Sequence, residues 1–186
     1  MTELAEDLSV TKQALSYYFH DKPGLVNAVL ERISKEYTDS AKEVIQNSSS
    51  VEEGLTSLTQ LKSTFFEKYY MLFSQQNPSD YSKDPCRINW KQSLRKNELN
   101  LLVTLFEKGV KSGELKPLDA EKTAELLLET LRAFSNCVKE NSAVPNANAF
   151  KEVLKRQHDV MKLFYEGLKR DSWLRQKTSS LKKEKN

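Results

Sequence analysis

Only five glycines and five prolines interrupt this chain of 186 residues. A sandwich or barrel of antiparallel strands needs a turn signal roughly every 8–12 residues, so breakers this sparse argue against an all-β fold. Between them, apolar residues return every three or four positions. Leu25, Val26, Val29, Leu30, Ile33 and Tyr37 form one stripe. Ala124, Leu127, Leu128, Leu131, Phe134 and Val138 form a second. A third runs through Phe150, Val153, Leu154, Gln157, Met161, Phe164 and Leu168. This is the repeat of a helix with one buried face, and no stretch alternates as a strand would. The expected fold class is all-α.

Helix boundaries follow from capping chemistry. Thr2 is expected to cap a short helix running to Leu8, and Thr11 a second one over 12–19. Asp21 caps a long third helix reaching about residue 46, with Pro23 in its first turn, where a missing N–H is harmless. The run NSSS at 47–50 breaks the chain, and Ser50 with Glu53 spells a capping box for a helix to about residue 75. After the loop NPSDYSKDP, Asp84-Pro85 opens a helix whose pattern continues to about 111, with Gly113 as its C-terminal cap. Asp119 caps the next, to about 139, and NSAVPNAN separates it from the last.

Composition narrows the function classes. Hydrophobic residues make up 38% and charged residues 30%, the balance of a water-soluble globular chain. No apolar run approaches the ~20 residues that span a membrane, and no secretory leader is evident; a cytoplasmic protein is expected. The net charge of +3 hides an asymmetry: from Lys169 to Asn186 seven Lys/Arg face two Asp/Glu, a net of +5. Cys86 and Cys137 lie far apart, as do His20 and His158, which suits free thiols in a reducing compartment and neither a metal site nor a disulfide. No nucleophile–base pairing, metal spacing or phosphate loop points to an enzyme, and no cofactor is implied.

The N-terminal stretch LAEDLSVTKQALSYYFHDKPGLV is the most informative. Two short helices joined by a tight turn make a helix-turn-helix unit. Leu4, Ala5, Leu8, Val10 and Leu15 are expected to pack the pair together, leaving the second helix to enter the major groove. The residues Leu4-Ala5, Val10, Thr11, Leu15, Tyr17-Tyr18-Phe19 and Lys22 resemble the DNA-binding segment of TetR/AcrR-type bacterial transcriptional repressors. The later stretch EKGVKSGELKPLDAEKTAELLLETL resembles that family's Gly-Glu-Leu junction into its first dimerisation helix.

The resemblance implies a DNA-reading role for Thr11, Lys12, Gln13 and Ser16 at the groove. It implies phosphate contacts for Tyr17, Tyr18 and Lys22. The family carries a further helix ahead of this unit and usually a Gly where Ser9 stands. The expectations are therefore an incomplete head starting at an internal methionine, and a strained backbone at Ser9 if it turns left-handed. Met1–Ile33 has three Lys/Arg and five Asp/Glu, little charge for non-specific DNA affinity.

The rest of the chain is expected to serve dimerisation and ligand binding. The last two helices would pair with a second copy through Leu127, Leu131, Phe134, Val138, Val153, Gln157, Met161 and Phe164. Phe65, Phe66, Tyr69, Tyr70, Phe73, Tyr81 and Trp90 would line a cavity for a largely apolar small molecule, although each could equally fill the core. The domain expectation is a helix-turn-helix segment over 1–24, a helical ligand-binding and dimerisation domain over 25–170 that includes the linker helix, and a basic disordered tail over 171–186. Two functions stay open: a homodimeric repressor released from a palindromic DNA operator by a small ligand, or a dimeric ligand sensor without DNA binding.

Overall fold

In the computed structural model, residues 1–74, 85–141 and 147–170 are described; the side chains of 70–74, 85–87, 135–141 and 147–150 are not. Tyr81 and the tail over 171–186 therefore lie outside the described residues, as do the side chains of Tyr70, Phe73, Cys86, Cys137 and Val138. Among the described residues there are seven helices and no strand.

The first two, α1 (Thr2–Asp7) and α2 (Lys12–Tyr18), are short. Thr11 caps α2 as expected, its hydroxyl accepting from the Ala14 N–H at 3.1 Å. Thr2 does not cap α1; it is already helical, and Met1 occupies the cap position without a side-chain bond. The third helix, α3 (Lys22–Asn47), begins at Asp21, whose carboxylate accepts from the Gly24 N–H at 2.7 Å. Next come α4 (Val51–Ser74) and α5 (Pro85–Ser112). The last two helices, α6 (Ala120–Asn141) and α7 (Ala147–Leu168), complete the order.

The body is a closed ring: α3 packs on α4 and α5, α5 on α6, α6 on α7, and α7 back on α4. Phe106, Leu105, Leu127, Leu115 and Val51 are fully buried within it. Helices α1 and α2 pack chiefly on each other. Buried Ala5, Leu15, Leu30 and Ile33 stand apart from the main core, which on α3 begins at Tyr37 and continues through Ala41 and Ile45.

The end of α5 is a structural hub. Gly113 takes φ +76°, a conformation that only glycine adopts freely, while the Leu115 N–H returns to the Gly109 carbonyl at 3.0 Å. That reversal places the Glu114 carboxylate on the N-terminus of α4, where both oxygens accept from the Val51 N–H at 2.9 and 3.0 Å. Six residues earlier, the Lys108 ammonium donates to the carbonyls that end α3, at 3.1 Å to Ile45 and 2.6 Å to Ser48. A cation therefore meets the negative end of one helix and an anion the positive end of the next. Gly109 has no room for a side chain, since a Cβ would sit 2.4 Å from Val51 Cγ2. The capping box at α4 forms with a shift of one residue: Ser50 accepts from the Glu53 N–H, but Glu53 reaches back to the Ser49 N–H at 2.7 Å.

Candidate nucleic-acid interface and helical interior

The second helix presents one acid-free face. Its sequence KQALSYY carries one charge, that of Lys12. Leu15 is buried against the head, Ser16 is half-buried, and Thr11, Lys12, Gln13, Tyr17, Tyr18 and Lys22 are exposed. Tyr17 and Tyr18 are 82% and 76% exposed, with their rings edge to face at 5.2 Å. Exposure that extensive is unusual for tyrosine, which ordinarily buries its ring. Lys12, Gln13, Tyr17, Tyr18 and Lys22 make no side-chain hydrogen bond or ion pair among the described residues, so their polar groups remain available to a partner. Of the acids of this end, Glu3, Glu6 and Asp7 lie on α1, and Asp21 caps α3 beside Lys22.

Two expectations for the head change. Leu8 and Val10 do not pack the helix pair together; they are 57% and 45% exposed. Val29 on α3 is exposed as well. Ser9 does take the left-handed conformation, at φ +53°, in which a Cβ crowds the backbone.

The interior carries an aromatic and ionic cluster. Phe65 is half-buried against the core with its ring edge-on to Tyr37 at 5.5 Å, and Tyr69 follows at 5.9 Å. Phe66, Tyr69 and Trp90 are half-buried, and the Trp90 Nε1 is buried without an acceptor among the described residues. Lys62 of α4 meets Glu98 of α5 at 2.8 Å, each side chain at least three-quarters buried. Burial alone would lower the Lys62 pKa, but the Glu98 carboxylate outweighs it and holds the ammonium above its ordinary value. Burial pushes the neighbouring Tyr37 phenol up to about 12. The described concavities lie elsewhere, along the α4–α7 seam. They measure about 80 and 340 Å³ and share Thr56 and His158 as lining residues. Of the aromatic candidates whose side chains are described, Phe65, Phe66, Tyr69 and Trp90 line neither, and Phe65 packs its ring against the core. No group of three His, Cys, Asp or Glu among the described residues could hold a metal.

The expected subunit-contact residues also need correction. Leu127, Leu131, Val153, Gln157 and Met161 are buried within the single chain. Gln157 donates to the Leu131 carbonyl at 2.7 Å across α6 and α7, which closes the ring internally. Phe134 and Phe164 are half-buried. The outward residues are Leu126, 58% exposed, and Leu163, 73% exposed. The apolar arc on each helix is wider than its inward face, and spacing alone does not tell which part points in.

The chain matches no protein-family model and no curated protein. Solved structures do match. A transcriptional regulator from Cytophaga hutchinsonii ATCC 33406 superposes with a TM-score of 0.81 at 20% identity, covering 91% of this chain and 88% of that one. The TetR family transcriptional regulator PfmR from Thermus thermophilus does so at 0.60 and 18% identity, with the same coverage. The chain has the fold of the TetR family regulators. NemR of E. coli in its reduced form matches at 0.61 and 16% identity, over 86% of this chain and 85% of that one. In this TetR fold no described helix is long and apolar enough to cross a membrane. Sequence reasoning had not found four of its polar contacts: the ion pair Lys62–Glu98, the Glu114 cap, the Lys108 clamp, and a cluster joining Glu36 of α3 to Lys68 and Tyr69 of α4. Each joins residues far apart in the chain, and no local pattern signals them.

Proposed function

We propose that the chain is a homodimeric DNA-binding transcriptional regulator, a repressor released from a palindromic operator by a small, largely apolar ligand. The observation that carries the reading is the face of α2. A helix whose N-terminus is capped by Thr11 exposes Lys12, Gln13, Tyr17 and Tyr18 with no side-chain hydrogen bond or ion pair among the described residues, on a fold shared with solved transcriptional regulators. Lys12 and Gln13 have the chemistry to bond guanine and adenine edges, with Thr11 and Ser16 beside them. Tyr17, Tyr18 and Lys22 reach phosphates. The segment over 1–24 is then the reading head, and 25–170 the body with its linker helix α3. In a dimer the outward faces of α6 and α7, with Leu126, Leu163 and the half-buried Phe134 and Phe164, meet their counterparts. The effector enters beside Phe65, Phe66, Tyr69 and Trp90, whose indole N–H has no acceptor among the described residues and offers a donor. Its binding acts by favouring one of two dimer geometries.

Selection from a random double-stranded DNA pool tests this reading. Recovery of a two-fold symmetric sequence, bound at least tenfold more weakly by Lys12→Ala or Gln13→Ala through loss of base contacts, supports it; recovery of no preferred sequence refutes it. A second reading, a dimeric sensor without DNA binding, draws on the acidic balance of Met1–Ile33 and on exposed Leu8, Val10 and Val29. It expects no selected sequence, yet a sedimenting dimer that Leu163→Glu dissociates.

A further inference from the structure

Glu36 stands on a boundary within α3. On its C-terminal side, Tyr37, Ala41 and Ile45 belong to the main core; on its N-terminal side, Leu30 and Ile33 are buried outside it. At this boundary α3 is bonded sideways to α4. The Glu36 carboxylate accepts from the Lys68 ammonium at 2.7 Å through Oε1 and from the Tyr69 hydroxyl at 2.9 Å through Oε2. Those two bonds, Lys68 first, hold the Glu36 carboxyl below the usual carboxylate range.

The backbone of α4 is adapted to this arrangement. Consecutive residues of a regular helix point about 100° apart, so neighbours do not share a target easily. At Tyr69 the helix leaves helical geometry, with φ −113° and ψ 17°. Sharp kinks usually trace to Pro, Gly or an inserted side chain, and neither Pro nor Gly stands between Thr64 and Ser74. The break allows Lys68 and Tyr69 to converge on one carboxylate. Behind it the contacts run inward: the Lys68 ammonium lies 5.0 Å above the Tyr69 ring, Tyr69 touches Phe65, and Phe65 meets the buried Tyr37. Both ends of this series, Glu36 and Tyr37, are on α3.

We propose that Glu36, Lys68 and Tyr69 are positioning residues for the reading head: they latch α3 to the kink of α4 and fix the direction in which α3 carries α1 and α2. The inference rests on α2 being the DNA-reading helix, but the latch itself is testable without DNA. Helices α1 and α2 pack chiefly on each other, so the aim of α3 sets where they point. A perturbation beside Phe65 reaches the latch through Tyr69.

The test is amide hydrogen exchange on the full chain, free of DNA, for wild type, Glu36→Ala, Tyr69→Phe and Lys68→Arg. Glu36→Ala is expected to speed exchange over residues 22–35 by about three- to tenfold, the scale of an exposed bonded pair. Residues 41–47 and the core of α5 should keep wild-type rates. Tyr69→Phe gives a smaller change, and Lys68→Arg, which retains the charge and the donor, gives none. Rates over 22–35 within twofold of wild type in Glu36→Ala overturn the proposal, as does uniform acceleration of all helices, which marks general destabilisation. Affinity for a selected operator forms a separate arm. Local acceleration in a chain for which no operator can be selected leaves the latch standing and removes the DNA-reading assignment.

Discussion

Replacing Glu114 by alanine removes the side chain that caps Val51. In the native chain one carboxylate accepts from the Val51 N–H through both oxygens, at 2.9 and 3.0 Å, beside a valine side chain that is 1% exposed. Burial first, then the Glu114 carboxylate, pushes the Tyr165 phenol up to about 12. A hydrogen bond to a charged group contributes about 1.5–3 kcal/mol, and a lost helix cap costs about 0.5–2 kcal/mol. The two descriptions overlap here, so the expected loss is about 2–3 kcal/mol rather than their sum. For a chain of this size that is a fall of about 5–10 °C in Tm. Glu114→Gln keeps an acceptor and loses the charge, so it should fall about midway. Urea unfolding followed by circular dichroism in the far ultraviolet, at one fixed protein concentration, measures both. Glu107→Ala serves as the exposed control and should change stability by no more than about 0.5 kcal/mol. A Glu114→Ala protein within that margin of wild type would refute the reasoning. Loss equal in Gln and Ala would show that charge, and not the hydrogen bond, is what α4 requires.

Other expectations follow from single residues. Ser9→Gly relieves a left-handed backbone at φ +53° and should stabilise the head by about 0.5–1 kcal/mol after the entropy of the more flexible unfolded chain is set against it; slower amide exchange in α1 and α2 would show it. Burial pushes the Tyr37 phenol up to about 12 from an ordinary 10, so its neutral form is favoured by folding. Its contribution is complete below pH 10 and is lost as pH rises through 12, about 2–3 kcal/mol in all. Urea unfolding at about pH 9 and about pH 11.5 should show a clearly smaller loss for Tyr37→Phe than for wild type; equal losses would remove Tyr37 as the cause. Gly109→Ala drives a methyl into Val51 Cγ2 at 2.4 Å and should destabilise by about 1–3 kcal/mol, read as a lower urea midpoint.

The helices were legible because their signals are local. Thr11, Asp21, Asp119 and Gly113 stop or start helices through atoms within a few residues, and the structure uses all four. The helix-turn-helix unit rested in part on the same kind of signal, whereas the expectation at Ser9 came from the resemblance, in which Gly usually holds that position. The inward faces of α6 and α7 were less legible. Leu126 and Leu127 are adjacent leucines, yet one is 58% exposed and the other fully buried; helical spacing separates them, but it does not say whether the buried stripe faces this chain or a second copy. Polar contacts between helices were least legible. Glu114 and Val51 stand 63 residues apart, as do Lys108 and Ile45. A lone glutamate or lysine on a helix looks the same in sequence whether it faces water or the end of a neighbouring helix.

The clamp at Lys108 gives α3 a mechanical character. With its final carbonyls tied to α5 and Glu36 bonded to α4, the free arm of α3 is the stretch over 22–35, about 21 Å at the rise of an α-helix. If the bond at Glu36 opens and Tyr37 gives way with it, Ala41 is the next residue held in the core, and the arm over 22–40 is about 29 Å long. A given tilt then sweeps α2 through roughly 1.4 times the distance. On the proposed function, in which two heads match half-sites about one DNA turn apart, a change in leverage of that size alters register without any helix being remade.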